Sequence, residues 1–161
     1  MKEIFSIFIV SMLPVSELRG AIPIGILIYK MPVWKVFLIA VIGNFLPVPF
    51  VLLFLKKLYE LTKHLKIARK FFNFIFNHAH KRKKVVELYE ELGLMLFVGI
   101  PLPVTGAWTA AVIATLLNLD FKKSLIFIFL GIIIAGIIVT FLVKLGLISA
   151  PAMKSFLTLR V

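Results

Sequence analysis

The stretch SELRGAIP, Ser16 to Pro23, decides how this chain is interpreted, because it carries charge between two strongly apolar runs. The run IFSIFIVSMLPV precedes it, the run IGILIY follows it, and Glu17 and Arg19 are its acid and its base. Charged side chains are costly in membrane-like surroundings, so ionisable residues there usually mark a functional site. We therefore predict a site at Glu17 and Arg19. A polar loop between two short helices is the alternative.

The composition indicates a membrane protein. Hydrophobic residues make up 61% of the 161 positions, charged residues only 16%, and the mean hydropathy is +1.09. A soluble domain of this length cannot bury so much apolar surface, so we predict one integral membrane domain. The chain has no cysteine, which excludes disulfides, thiol chemistry and cysteine-bound metals.

The positive charge is concentrated in one segment. The formal net charge is +12, and ten of the nineteen basic residues fall between Lys56 and Lys84. We predict that 56–91 is a basic amphipathic linker helix on the cytoplasmic surface, bound to anionic lipid headgroups and not to nucleic acid. An ordinary cytosolic linker is the alternative. The apolar stripe of the predicted helix consists of Leu58, Leu61, Leu65, Ala68, Phe72, Ile75 and Ala79.

The apolar run before SELRG is too short to cross a bilayer. Residues 4–13 would form a helix of about 15 Å, half of the hydrocarbon core. Pro14 then ends the helix, a SELRG turn follows, and residues 21–29 run back. This pattern is typical of a re-entrant hairpin, which is tolerated only where protein buries it or where it lines a cavity. Gly20 and Pro23 are further predicted hairpin breakers.

Two long spans are predicted. Residues 36–55 are free of formal charge and long enough for a helix across the bilayer. Pro47 and Pro49 fall inside this run, so we expect a kinked helix whose freed backbone groups are satisfied by neighbours. Residues 125–143 form the last span, in which Gly131 would let another helix approach closely.

The order of hairpin and span occurs twice. LPVS at 13–16 is matched by LPVT at 102–105, and the segment 93–118 again has two apolar arms around a polar turn. Its predicted breakers are Pro101, Pro103 and Gly106. Within the single membrane domain we predict repeat 1 at 1–55, the linker at 56–91, repeat 2 at 92–148 and a tail at 149–161.

If both hairpins are re-entrant, each half crosses the membrane once and the two halves have opposite orientations. The predicted fold is then an all-α integral membrane protein, an inverted repeat of re-entrant helical hairpin plus transmembrane helix. The first hairpin would open to the outside and the second to the inside. Four ordinary spans are the alternative, since the segment 93–118 would reach about 39 Å as one broken helix.

Three stretches resemble the small multi-drug export protein family: SELRGAIPIGI at 16–26, GNFLPVP at 43–49 and PLPVTGAWTAAVIATLL at 101–117. The resemblance covers nearly the whole chain outside the linker and implies a short prokaryotic membrane protein that exports drugs. The layout is more distantly similar to DedA-like proteins with facing re-entrant hairpins, which implies lipid translocation or proton-dependent transport. The second hairpin departs from that superfamily, because it carries no arginine.

We predict a multi-pass transporter in the prokaryotic plasma membrane, for proton- or cation-coupled export of a small amphipathic compound or lipid. Its site would lie between the two hairpin tips. Glu17 is the candidate proton- or cation-linked group, and Arg19 would neutralise it or hold an anionic headgroup. Asn44 would reach the same cavity from the first span. The other candidates, which offer hydroxyls and an aromatic gate or interfacial anchor, are Thr105, Thr109 and Trp108.

Two other functions stay open. A lipid scramblase or headgroup carrier would use the same site without ion coupling, and a membrane-organising or partner-binding protein would act through the linker. We expect no enzyme, because the sequence lacks paired carboxylates, a nucleophile–base set and a phosphate loop. No cofactor is predicted, and no metal, because His78 and His80 point apart on a helix. About four elements are too few to enclose a pathway, so we expect a homodimer.

Overall fold

The computed structural model describes residues 1–62, 86–101 and 105–148. Within these ranges every regular element is a helix, so the prediction of an all-helical chain is confirmed there. Most of the predicted linker, with its histidines, and the predicted tail lie outside the described residues. The elements are α1 (Lys2–Met12), α2 (Glu17–Pro23, followed by a π-helical turn at Ile24–Ile28), α3 (Val33–Phe45), α4 (Pro47–Thr62), α5 (Val86–Gly99), α6 (Ala107–Leu116) and α7 (Phe121–Lys144).

The first hairpin turns earlier than predicted. The interpretation of SELRG as the turn is wrong, because α2 already begins at Glu17. The Glu17 N–H donates to Leu13 O at 3.0 Å, and the Gly20 N–H donates to Ser16 O at 2.9 Å. Each of these bonds spans four residues and is helical in type, so the change of direction is confined to the short connection around Pro14.

Two of the predicted hairpin breakers lie inside a helix. Gly20 and Pro23 both belong to α2. Pro23 has no N–H to complete the helical bond to Arg19 O. The π-helical turn at Ile24–Ile28 follows directly, and at its end the Tyr29 N–H donates to a carbonyl five residues back at 3.0 Å. This wider turn lets the helix continue past the proline.

α2 runs back along α1. Next to the connection, the Ser16 hydroxyl donates to Val10 O at 3.1 Å. At the other end of the hairpin, the hydroxyl oxygens of Ser6 and Tyr29 lie 3.0 Å apart. The two helices are therefore antiparallel over the full length of α1.

α3 packs along α1 in the same direction. Near the start of both helices, Ile7 and Val36 lie 3.0 and 2.5 Å from the position that a Cβ on Gly25 would occupy. Further along both helices, Gly43 lies directly against Ser11. Because the pairing advances along both helices together, α1 and α3 are parallel.

α5 and α7 are also parallel. Near the start of both, Lys123 Nζ lies 3.4 Å from the buried Glu91 carboxylate. Further along, a Cβ on Gly99 would lie 3.2 Å from Ile134. Between these points a Cβ on Gly131 would lie 2.7 Å from the α5 backbone, so the close approach predicted at Gly131 is confirmed.

α3 and α7 join the two halves of the molecule. Phe37, near the start of α3, packs against Gly136, in the second half of α7. Phe45, at the end of α3, meets Phe129 edge to face with ring centroids 4.8 Å apart. Later residues of α3 thus contact earlier residues of α7, so these two helices are antiparallel.

In the described part of the chain, two helices are long and apolar enough to cross a membrane, Val33–Leu55 and Phe121–Lys144. The first comprises α3 and the start of α4, with Leu46 between them directly before Pro47. The outer faces carry large apolar side chains that are more than half exposed, a surface that lipid tolerates and water does not. Examples are Phe50 (68%), Phe54 (68%), Ile137 (57%) and Phe141 (60%).

The close packing of α1 on α3 predicts a large effect at Gly43. In Gly43→Ala the new methyl group would collide with Ser11 Oγ and lie 2.8 Å from Phe8 O, a backbone atom that cannot rotate away. We expect the free energy of unfolding to fall by about 1–3 kcal/mol, measured as a lower melting temperature of the detergent-solubilised protein.

Gly93→Ala is the matched control, since no atom of the described residues lies within 4 Å of a Cβ at that helical glycine. Alanine favours a helix over glycine, so this variant should be as stable as the natural chain or more so. An unchanged melting temperature for Gly43→Ala would contradict the contact between α1 and α3.

Candidate functional site

The end of α1 and the start of α6 are in direct contact, although they are far apart in the chain. Trp108 Nε1 donates to Met12 O at 3.0 Å across a separation of 96 residues. Met12 is the last residue of α1, and the last carbonyls of a helix need hydrogen-bond donors from outside that helix. Trp108, predicted as a gate or an interfacial anchor, here links the end of α1 to the start of α6.

The Glu17 carboxylate lies inside this contact, and the residue is only 5% exposed. The Trp108 N–H donates to Glu17 Oε1 in a long bond of 3.5 Å, and the Ala107 N–H also donates to this carboxylate. These are the first N–H groups of α6, which no carbonyl within that helix reaches, and a helix N-terminus attracts negative charge. Glu17 on α2 is therefore an N-terminal cap for α6.

Gly106 makes the space that the carboxylate occupies. A Cβ at this position would collide with both carboxylate oxygens of Glu17. The backbone of Gly106 is extended, with φ −151° and ψ 177°, so any residue could adopt it and the glycine is required for space alone. The sequence predicted Gly106 as a hairpin breaker and missed this second role, because the carboxylate comes from a distant part of the chain.

The backbone of Glu17 is strained. Its φ is +46°, in the left-handed region that non-glycine residues rarely adopt. Such a conformation costs about 1–3 kcal/mol and persists only where the surrounding structure holds it, which is common at functional sites. At Glu17 the strained backbone coincides with the charged contact between the two hairpins.

Arg19 forms a second link between the hairpin tips. Its Nη2 donates to Thr105 Oγ1 at 3.2 Å, and Thr105 Oγ1 donates in turn to Ile100 O at 2.9 Å. The guanidinium also attracts the Glu17 carboxylate electrostatically. Four of the predicted site residues are thus brought together in one cluster, which we call the tip cluster: Glu17, Arg19, Thr105 and Trp108.

The other two predicted site residues do not join the tip cluster through a hydrogen bond in the described ranges. Asn44 lies on α3 with an exposed fraction of 0%, and its amide has no hydrogen-bond partner there. Thr109 is half-buried in the first turn of α6. Of the predicted breakers, Pro14 follows α1 and Pro101 follows α5, whereas Pro103 lies outside the described residues.

A double-mutant cycle tests the contact between Glu17 and Gly106. Gly106→Ala should lower the free energy of unfolding, because its methyl group would occupy the space of the carboxylate. In a Glu17→Ala background the same change should cost little, giving a coupling energy of about 0.5–3 kcal/mol. Denaturation of the four proteins in detergent measures it, and strictly additive effects would show that these residues do not touch.

Comparison with known proteins gives one match. Residues 17–138, well over half of the chain, match the family described as "Putative small multi-drug export protein". No curated protein and no solved structure is detectably similar to the chain. The matched region begins at Glu17 and includes the whole tip cluster, and the chain belongs to this small multi-drug export protein family.

Proposed function

We propose that this protein is a small membrane exporter of amphipathic compounds, with its transport site where the two hairpin tips meet. The observation that carries the proposal is the buried Glu17 carboxylate at the N-terminus of α6. A charge in an apolar chain is costly, and this one joins the two halves of the molecule instead of facing water. Membership of an export family, not an enzyme family, supports transport.

The helix directions favour an inverted repeat with two re-entrant hairpins. α1 and α3 are parallel, as are α5 and α7, whereas α3 and α7 are antiparallel. α1 has 11 residues and α6 has 10. Each would reach about 15 Å, half of the hydrocarbon core. The tips of both hairpins would then meet near the midplane, where transporters built from inverted repeats bind their substrates.

Glu17 acts as a latch in the proposed mechanism. The ionised carboxylate is attracted to the N-terminus of α6 and keeps the tips together. When Glu17 takes up a proton from one side of the membrane, this attraction is lost and the tips separate to admit substrate. Release of the proton to the other side restores the carboxylate, so that substrate and proton move in opposite directions. The bond between Arg19 and Thr105 breaks and re-forms in the same cycle.

The distribution of basic residues favours one orientation. Lys57 on α4, and Lys122 and Lys123 at the start of α7, lie at the end of the molecule from which the basic linker departs. Lysine and arginine are enriched on the cytoplasmic side of membrane proteins. We therefore propose a cytoplasmic linker that binds anionic headgroups, with the end of α7 outside. The homodimer remains a prediction.

Labelling of single cysteines tests this orientation in a chain that has none of its own. In intact cells, a membrane-impermeant thiol reagent should modify Lys144→Cys and leave Lys122→Cys unmodified. Both variants should react after permeabilisation, which controls for access to the thiol. The reverse result, with only Lys122→Cys labelled, would contradict the proposed orientation, because the start of α7 and the linker would then face outward.

Glu17→Gln tests the latch. Glutamine keeps the shape of the side chain but cannot exchange a proton, so ethidium efflux from proteoliposomes driven by a pH gradient should slow at least about tenfold. Glu3→Gln is the matched control, because the Glu3 side chain is 58% exposed at the N-terminus, and its rate should not change. Efflux by Glu17→Gln at the natural rate would contradict proton coupling.

Arg19 supports a second candidate function, a lipid headgroup carrier without ion coupling. Its guanidinium donates a hydrogen bond to Thr105. The planar guanidinium group can donate two parallel hydrogen bonds to phosphate oxygens, which a lysine ammonium cannot do as well. A carrier of this kind would transfer a fluorescent phospholipid between leaflets at a rate that is insensitive to a pH gradient. Loss of this transfer in Arg19→Lys, with Glu17→Gln unaffected, would favour the carrier over the exporter.

A further inference from the structure

The amide of Asn44 is fully buried and unpaired. Its exposed fraction is 0%, and in the described part of the chain neither Nδ2 nor Oδ1 has a hydrogen-bond partner. Buried polar groups in folded proteins are nearly always paired, because an unpaired amide loses its hydrogen bonds to water without replacement. The side chain therefore needs a partner that the described part of the chain does not supply.

Asn44 lies at the same depth as the tip cluster. It is the central residue of the candidate span Val33–Leu55. Its neighbour Gly43 lies directly against Ser11 of α1. Met12, which follows Ser11 in α1, supplies the carbonyl that accepts the indole N–H of Trp108. The unpaired amide is thus close to the level at which the two hairpins meet.

The backbone carbonyls on both sides of Asn44 also lack the N–H groups that would donate to them in a regular helix. A helical bond to Gly43 O would come from residue 47 and a bond to Phe45 O from residue 49, but both residues are prolines without an N–H. In membrane helices, ordered waters and neighbouring side chains commonly satisfy carbonyls that prolines have freed. The two prolines thus leave two acceptor groups beside the unpaired amide.

These groups define the chemistry of the missing partner. Nδ2 needs an acceptor, whereas Oδ1 and the freed carbonyls need a donor. A bare cation cannot accept a hydrogen bond from Nδ2, and an anion without a proton cannot donate one to Oδ1. Neither therefore satisfies both the donor and the acceptors. A neutral O–H group both donates and accepts. We propose that Asn44 binds a neutral O–H group at mid-depth of the membrane domain, either an ordered water or the hydroxyl of a substrate. The substrate source rests on the proposed function; the water source does not.

Solid-state NMR of the full chain in phosphatidylcholine vesicles, whose lipids carry no hydroxyl, separates the two sources. The side-chain N–H signal of Asn44 is identified by its absence in Asn44→Leu. For an ordered water, magnetisation transfers from water to this signal with no substrate added. For a substrate hydroxyl, no magnetisation is transferred from water. Adding 1-dodecanol then shifts the signal, whereas the methyl ether of dodecanol, which lacks the O–H, leaves it unchanged. If neither water nor dodecanol affects the signal, the proposal is overturned.

Asn44→Leu provides an independent test against a matched control. Thr140→Val also removes a buried hydroxyl that has no partner among the described residues. Thr140 lies on α7 one turn beyond Gly136, towards the start of α3. Both variants should fold with a melting temperature close to that of the natural chain or above it, because each removes a buried polar group that no described residue pairs with. Asn44→Leu should lose at least about tenfold in ethidium efflux, whereas Thr140→Val should retain it.

Natural rates in both variants would overturn a substrate hydroxyl as the partner of Asn44, and the NMR transfer from water would then decide the ordered-water source. The NMR result keeps the two proposals distinguishable. If the natural chain exports no ethidium but Asn44 still contacts water, the exporter proposal loses support while the O–H site stands.

Discussion

The contact between the Glu17 carboxylate and the first N–H groups of α6 is the constraint on which the centre of the molecule depends. It joins two segments that are 91 residues apart, and it buries a charge in a chain that is 61% hydrophobic. Three features accommodate it: a glycine at 106, a left-handed backbone at Glu17, and the neighbouring guanidinium of Arg19. No one of these features would by itself indicate a buried charge. Together they accommodate one buried carboxylate.

The rest of the fold follows from the need to pair polar groups in apolar surroundings. Where α1 ends, an indole supplies a donor to Met12 O, and where Pro23 removes a donor, a π-helical turn carries α2 onward. Glycines at 43 and 131 let α1 pack on α3, and α5 on α7, at very short range. Asn44 is an exception, as are the hydroxyls of Ser124 and Thr140, since these groups stay unpaired in the described part of the chain.

Much of this could be predicted from local patterns. The helical class and the approximate positions of both long spans follow from runs of apolar residues of sufficient length. The turn at SELRG was predicted wrongly, because glycine and charged residues were interpreted as a break although the backbone bonds from Glu17 onward are helical. The roles of Glu17, Arg19, Thr105 and Trp108 as transport residues stay predictions, but the structure brings all four to one place.

By itself, the sequence determined that the chain is apolar, helical and charged at one unusual point, since composition and periodicity are local properties. Only the tertiary structure decided what that charge touches. A carboxylate can be satisfied by an arginine, by water or by a helix N-terminus, and nothing within SELRGAIP selects among them. The choice depends on the antiparallel packing of α3 against α7, which connects the two halves, and on the space left at Gly106, where one missing methyl group admits the carboxylate.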